Sequence, residues 1–162
     1  MYLLNKTPIF LEFLKRFMNK AGYVFEDENI QNRLFLHSKC NCGQKDCATV
    51  YLKSKKPFKK ESTGINIFNT NKGFFVVHIL DDGFFEFEAL LYKKYPYKNE
   101  IDKFFNKNRK IDKKLPKIKT KVKKISDKNM KKIDDYFKDL EFLKPNIIDL
   151  GEIDFDEIKK KD

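Results

Sequence analysis

The chain has no tryptophan, 6 glycines, 3 cysteines, two histidines and three arginines among its 162 residues. Each scarcity removes a class of chemistry. With so few glycines, none of them in a glycine-rich run, no loop is built to cradle a phosphate. With only His37 and His78, no Ser-His-Asp arrangement stands out. With Arg16, Arg33 and Arg109 as the only guanidinium groups, bidentate reading of guanine edges is sparse. No stretch approaches the roughly 20 uninterrupted apolar residues that cross a bilayer; the longest, Phe74 to Leu80, is broken by His78. The apolar run from Ile9 to Met18 is interrupted by Glu12, Lys15 and Arg16, and no small-residue cleavage site follows it, which argues against a secretory signal. An odd number of cysteines without such a signal makes the reducing cytoplasm the expected compartment.

What remains is enough for a buried core. A hydrophobic fraction of 41% in a 19.4 kDa chain is that of one ordinary domain, and the aromatic content comes entirely from 17 Phe and 7 Tyr. Thr7-Pro8 signals a helix start, with Thr7 able to cap and Pro8 suited to the first helical position, and Gly22 is a natural stop. Between them Ile9, Phe10, Phe13, Leu14, Phe17, Met18 and Ala21 recur at helical spacing and define one apolar face.

Arg33 to His37 and Thr49 to Lys53 read as short strands flanking a cysteine loop. Ile65 to Asn69, Phe74 to Leu80 and Phe84 to Leu91 are rich in branched and aromatic residues, as strands are. Asn69-Thr-Asn-Lys-Gly73 and Asp81-Asp82-Gly83 separate them as turns. Asn99 to Asn106 fits a short helix. Lys113 to Lys124 alternates as a strand with one cationic face, although Leu115, Ile118, Val122 and Ile125 also fit helical spacing. Ser126 opens a further amphipathic helix through Met130, Ile133, Tyr136, Phe137 and Leu140.

The expected fold is therefore α+β: an N-terminal amphipathic helix packed on an antiparallel meander of about four to five strands, with a second, C-terminal helix. Residues 1–97 form the core, carrying a cysteine loop at 37–47; residues 98–125 form a basic segment; residues 126–162 add the C-terminal helix and an acidic tail to the same domain.

Charge is segregated. Residues Lys93 to Lys132 hold 17 Lys and Arg against 4 Asp and Glu, so the whole of the chain's net charge of +11 comes from that stretch and the remainder is slightly acidic. A polyanionic partner is the direct physical reading, since charge summed on one face concentrates an oppositely charged molecule near it. The competing reading is a solvated lysine run paired with the tail carboxylates of Asp149, Glu152, Asp154, Asp156 and Glu157.

All three cysteines fall within the segment His37-Ser-Lys-Cys40-Asn-Cys42-Gly-Gln-Lys-Asp-Cys47. Thiolates and an imidazole on one short loop can form a four-ligand zinc shell, with Cys40, Cys42 and Cys47 as three ligands and His37 or His78 as the fourth. Zinc is thus the candidate cofactor. The spacing Cys-x-Cys is tighter than the common Cys-x-x-Cys knuckle, and no second cysteine pair exists. Two other readings stand beside it. Cys42 and Cys47 can be small buried hydrophobes with His37 ending a strand, or Cys47 can be a nucleophile beside Asp46. Glu86 and Glu88, two apart on one strand, share a face and form a candidate carboxylate pair, with solvated strand-face acids as the ordinary explanation.

The segment Cys40-Asn-Cys42-Gly-Gln-Lys-Asp-Cys47-Ala-Thr49, followed by strands with Leu80-Asp-Asp-Gly83-Phe and Glu88, resembles small bacterial proteins of unassigned function. About a third of the chain is covered, and the resemblance carries no functional residue with it.

With no catalytic constellation placed, the expected role is a non-enzymatic binding module for a polyanion, nucleic acid first, with low sequence specificity. Lys93, Lys94, Lys98, Lys107, Lys113, Lys114, Lys117, Lys119, Lys121, Lys123 and Lys124 would meet phosphates, and Tyr92, Tyr95 and Tyr97 would stack on exposed bases. The alternative is an immunity-type or phage-encoded inhibitor that occludes an acidic surface on another protein. Neither requires a membrane.

Overall fold

Alternating side chains along Val50–Ser54, Gly73–Ile79 and Phe84–Leu90 put one face of these strands into a core and leave the other half-buried, and in the computed structural model they belong to a single antiparallel sheet. The structure describes residues 1–23, 25, 33–60, 63–90, 94–108 and 123–143. Six strands, β1 (Tyr2–Leu3), β2 (Leu34–Lys39), β3 (Val50–Ser54), β4 (Gly64–Thr70), β5 (Gly73–Ile79) and β6 (Phe84–Leu90), lie in the order β1-β2-β3-β6-β5-β4. Among the described residues three helices, α1 (Pro8–Lys20), α2 (Lys98–Lys107) and α3 (Asp127–Lys138), accompany it, together with a short 3-10 turn at Leu4–Lys6.

The class is α+β as expected, with two differences. Among the described residues the sheet has six strands, because Tyr2 and Leu3 pair with Leu36 and Phe35 as an edge strand too short to show any period. The meander covers only β4, β5 and β6; β6 then pairs with β3, with Phe85 opposite Leu52 and Phe87 opposite Val50, so the chain crosses from the middle of the sheet to its far edge between β3 and β4. The strand expected over Lys113 to Lys124 lies almost wholly outside the described residues. Its last two, Lys123 and Lys124, belong to no strand.

The core is largely aromatic. Phe10, Leu11, Phe13, Leu14, Phe17 and Met18 of α1 are buried against Leu52, Phe75, Val77, Phe85 and Phe87 of the sheet. Phe13 is its hub, with ring centroids 4.8 Å from Tyr97, 5.1 Å from Tyr136, 5.0 Å from Phe137 and 6.2 Å from Phe87. Rings at such distances, tilted or edge-on, add to the stabilisation from their buried area. Arg16 ties α1 to α3 through Asp134, while accepting support within its own helix from Glu12.

The start of α1 departs from the expected cap. The Thr7 hydroxyl donates to the carbonyl of Leu4 at 3.1 Å and makes no cap bond. The first-turn amides of Ile9 and Phe10 are instead taken by the carboxylate of Glu100, at 3.2 and 2.9 Å, from α2. Ser126 caps α3 as its position in the sequence implies, its hydroxyl accepting from the Asn129 amide. The Asp81-Asp82-Gly83 turn is also as expected: Gly83 takes the left-handed φ of +89°, and the Asp82 carboxylate accepts from the Phe84 amide. No helix among the described residues is long and apolar enough to cross a membrane.

Candidate metal centre

The cysteine loop is the connection from β2 to β3, and three constraints shape it. At its two ends Cys40 donates its amide to the Thr49 carbonyl at 3.0 Å, and Ala48 donates to Ala89 on β6 at 2.9 Å. Gly43 adopts a φ of +76°, which turns the chain back directly after Cys42. The start of α2 then clamps the returning strand, with the Tyr97 hydroxyl donating to the Ala48 carbonyl and the Lys98 ammonium to the Cys47 carbonyl, both at 2.8 Å. The cap residue and first residue of α2 thus hold two successive carbonyls at the end of the cysteine loop.

The result is a cluster of three sulfurs, those of Cys40, Cys42 and Cys47, all within 4.8 Å of one another. No disulfide joins them. A tetrahedral zinc with bonds of about 2.3 Å holds its sulfurs about 3.8 Å apart, so side-chain adjustments of roughly 1 Å bring the three onto one ion. Cys47 is buried, and its thiol donates to the Thr49 hydroxyl at 3.4 Å, while Cys42 is exposed. The Cys42 thiol is held below its ordinary value by the Gln44 amide and then by the Cys40 thiol. Burial raises the Cys40 thiol. The Tyr51 hydroxyl, pushed up to about 12 by burial and then by the nearby Cys40, stays protonated beside it. Three thiols brought together in this way could hold a metal ion, and on losing their protons they are the ligand type that thiophilic ions prefer.

Neither histidine joins the cluster. His37 occupies the irregularity where β2 slips register against β3; its Nδ1 lies 3.0 Å from the Ser38 hydroxyl and its ring rests near Phe84. His78, on β5, faces Glu86 across the strands at 3.6 Å. Among the described residues, then, neither histidine supplies the expected fourth ligand. His37 sits at the register shift of β2, a local detail that residue spacing does not convey.

The sulfurs line one wall of a cleft of about 450 Å³ between the loop and the first turns of α2. Lys98 and Asp102 of α2, Lys39 of β2 and Lys45 of the loop line the same cleft. Asp102 is shared by Lys39 at 2.6 Å and Lys98 at 3.2 Å. Burial raises the Asp102 carboxyl, but the two ammonium groups together outweigh it and leave the carboxyl below its usual range. Glu86 and Glu88 do share the outer sheet face, where burial and then Glu86 raise the Glu88 carboxyl.

The residues expected to bind a polyanion divide into three groups. Tyr92, Lys93, Lys113, Lys114, Lys117, Lys119 and Lys121 lie outside the described residues. Lys94, Lys107, Lys123 and Lys124 are exposed. Tyr95, Tyr97 and Lys98 are corrected by the structure. Tyr95 is 4% and Tyr97 0% exposed, so neither ring offers a face to a base, and Lys98 is engaged with Cys47 and Asp102. Aromatic residues beside a basic run look alike in sequence whether they stack on a ligand or fill a core. Here Tyr97 packs on Phe10 and Phe13 of α1, and Tyr95 packs on Phe75 and on Tyr97 itself. The clamp formed by Tyr97 and Lys98 is the feature sequence reasoning missed, since it joins residues about 50 positions apart.

Comparison with protein-family models, with curated proteins and with solved structures finds no match to this chain.

Proposed function

We propose that the protein is a non-enzymatic binding module built around one thiophilic metal ion, zinc first, held by the thiolates of Cys40, Cys42 and Cys47. The observation that carries this reading is the convergence of three sulfurs within 4.8 Å on a loop whose ends are fixed by β2, β3, β6 and α2. Three unpaired cysteines brought together on a polar, part-exposed loop are poorly explained as packing, because only Cys47 is buried. The bound ion would act as a cross-link between Cys40, at the end of β2, and Cys47, just before β3. Metal analysis of protein purified under reducing conditions tests it. One zinc per chain, abolished in Cys42→Ser and Cys47→Ser, is the expected result; metal-free protein that also fails to take up added zinc overturns it.

A second reading concerns the partner. The excess of 17 basic over 4 acidic residues between Lys93 and Lys132 favours a polyanion, and nucleic acid bound through its phosphates is the first candidate. Among the described residues Lys103 and Lys107 stand exposed on α2, and Lys123 lies near enough to Glu100 for its charge to act on that carboxyl. With three arginines in the chain and both Tyr95 and Tyr97 buried, binding is expected to be weak in sequence preference and steep in salt dependence. Fluorescence anisotropy with single- and double-stranded oligonucleotides at low salt checks this. No binding at all would remove nucleic acid, and a single protein partner that survives nuclease would move the reading to occlusion of an acidic protein surface.

A further inference from the structure

We propose that the cleft beside the sulfur cluster is a second-ligand site, in which a small thiol bearing a carboxylate completes the coordination of the metal. The inference rests on the metal reading above and goes beyond it by naming what occupies the open side.

Three features of the cleft point there. First, the donor set is incomplete. A zinc ion takes four ligands, and sites with three protein ligands keep the fourth position for water or a substrate. The group contains Cys40, Cys42 and Cys47 and no histidine or carboxylate among the described residues. Second, the open side faces a space of useful size. A cleft of about 450 Å³ shares its lining with all three cysteines, within the range of roughly 300–1,000 Å³ that small-molecule sites occupy. Third, the charge carried by the residues that line it is unbalanced. A divalent ion on three thiolates carries one negative charge, and Asp102 supplies another. Lys39, Lys45 and Lys98 line the same cleft and exceed them by one. Lys39 and Lys98 are partly satisfied by Asp102, whereas Lys45 is exposed and makes no ion pair among the described residues.

The chemistry of the ligand follows from those two ends. A borderline-soft ion already on three sulfurs accepts a fourth sulfur readily, as the common four-cysteine sites show. A surplus ammonium lining the same cleft donates to a carboxylate carried by that ligand. The step is ligand exchange: the thiol loses its proton to solvent, its sulfur replaces a water on the metal, and no oxidant or reductant takes part.

Cobalt(II) substitution makes the exchange visible, because sulfur-to-cobalt charge transfer grows with the number of thiolates. The full-length protein is loaded with one cobalt per chain and titrated with mercaptoacetate, with acetate and ethanethiol as probes of each end separately. The expected result is a rise of about one third in the charge-transfer band at saturation, the step from three thiolates to four. Ethanethiol should bind at least about fivefold more weakly and acetate should leave the band unchanged. Lys45→Ala should weaken mercaptoacetate about fivefold, the size of one exposed ion pair, and leave cobalt stoichiometry intact. Failure to bind cobalt at all would refute the metal reading itself. A cobalt site whose spectrum mercaptoacetate does not change, or from which mercaptoacetate strips the cobalt into the filtrate, would overturn this inference and leave the metal reading standing. Acetate acting as well as mercaptoacetate would overturn the thiol assignment.

Discussion

The carboxylate of Glu100 accepts the backbone N–H of Phe10 at 2.9 Å, so the first turn of α1 is closed by a residue 90 positions away. Ile9 donates to the other oxygen of the same group. First-turn amides have no partner within their own helix, and a carboxylate there also meets the positive end of the helix dipole. One side chain therefore caps the helix that forms the core and fixes the element that clamps the cysteine loop.

Removing that cap should be measurable. Glu100→Ala is expected to cost about 1–2 kcal/mol, the range for loss of a helix cap, read as a shift in the urea midpoint. An unchanged midpoint would mean that water replaces the carboxylate without loss.

The same residue should give stability a pH dependence. Burial raises the Glu100 carboxyl above its ordinary value, outweighing the two amides that pull it down. A group that holds its proton more tightly in the folded chain than in the unfolded one favours folding most below its unfolded value, and that contribution is lost as pH rises through the raised value. Urea midpoints of the wild type should therefore fall, relative to Glu100→Gln, as pH is taken upward from the ordinary glutamate range. Parallel profiles for the two proteins would contradict the assignment.

Metal removal should lower thermal stability without unfolding the chain at room temperature, since the aromatic core is built from α1 and the sheet and contains none of the three cysteines. An ion present at 100 times its Kd stabilises by about 2.7 kcal/mol. Differential scanning fluorimetry with and without a chelator should show the corresponding drop in Tm, and a Cys42→Ser variant should show none.

Tyr97→Phe keeps the ring among Phe10, Phe13 and Phe87 but deletes the hydroxyl that donates to Ala48. A buried carbonyl left without its donor costs about 1–3 kcal/mol. Because Ala48 follows Cys47, the variant should also bind zinc more weakly in a competition titration. Lost stability with unchanged zinc affinity would show that the clamp supports the fold alone.

Gly83→Ala tests the β5–β6 turn. At a φ of +89° an L-residue is strained, and an added Cβ would lie 3.3 Å from the Ser54 carbonyl oxygen. A loss of about 1–2 kcal/mol is expected from the backbone conformation. Gly43→Ala has a φ of +76° with open space around the new methyl, so its cost should come from backbone alone and fall on metal binding beside Cys42.

Much of this architecture is written in local pattern. The stripe from Ile9 to Met18, the alternation through Phe74 to Ile79 and Phe84 to Leu90, the turn at Gly83 and the cap at Ser126 are short-range properties, and residues near in sequence report them faithfully. Tyr2–Leu3 has no such local signal, because two residues carry no period. The clustering of Cys40, Cys42 and Cys47 was legible as spacing, and so was the confinement of positive charge to one stretch.

Tertiary structure decided what spacing leaves open. Whether Thr7 or Glu100 caps α1, whether Tyr95 and Tyr97 face solvent or core, whether His37 reaches the sulfurs, and whether β3 pairs with β4 or β6 all depend on contacts between distant segments. The physical reason is that local sequence sets dihedral preference and which face is apolar. The partner that buries that face, or takes up a stranded polar group, is chosen by packing the whole chain at once.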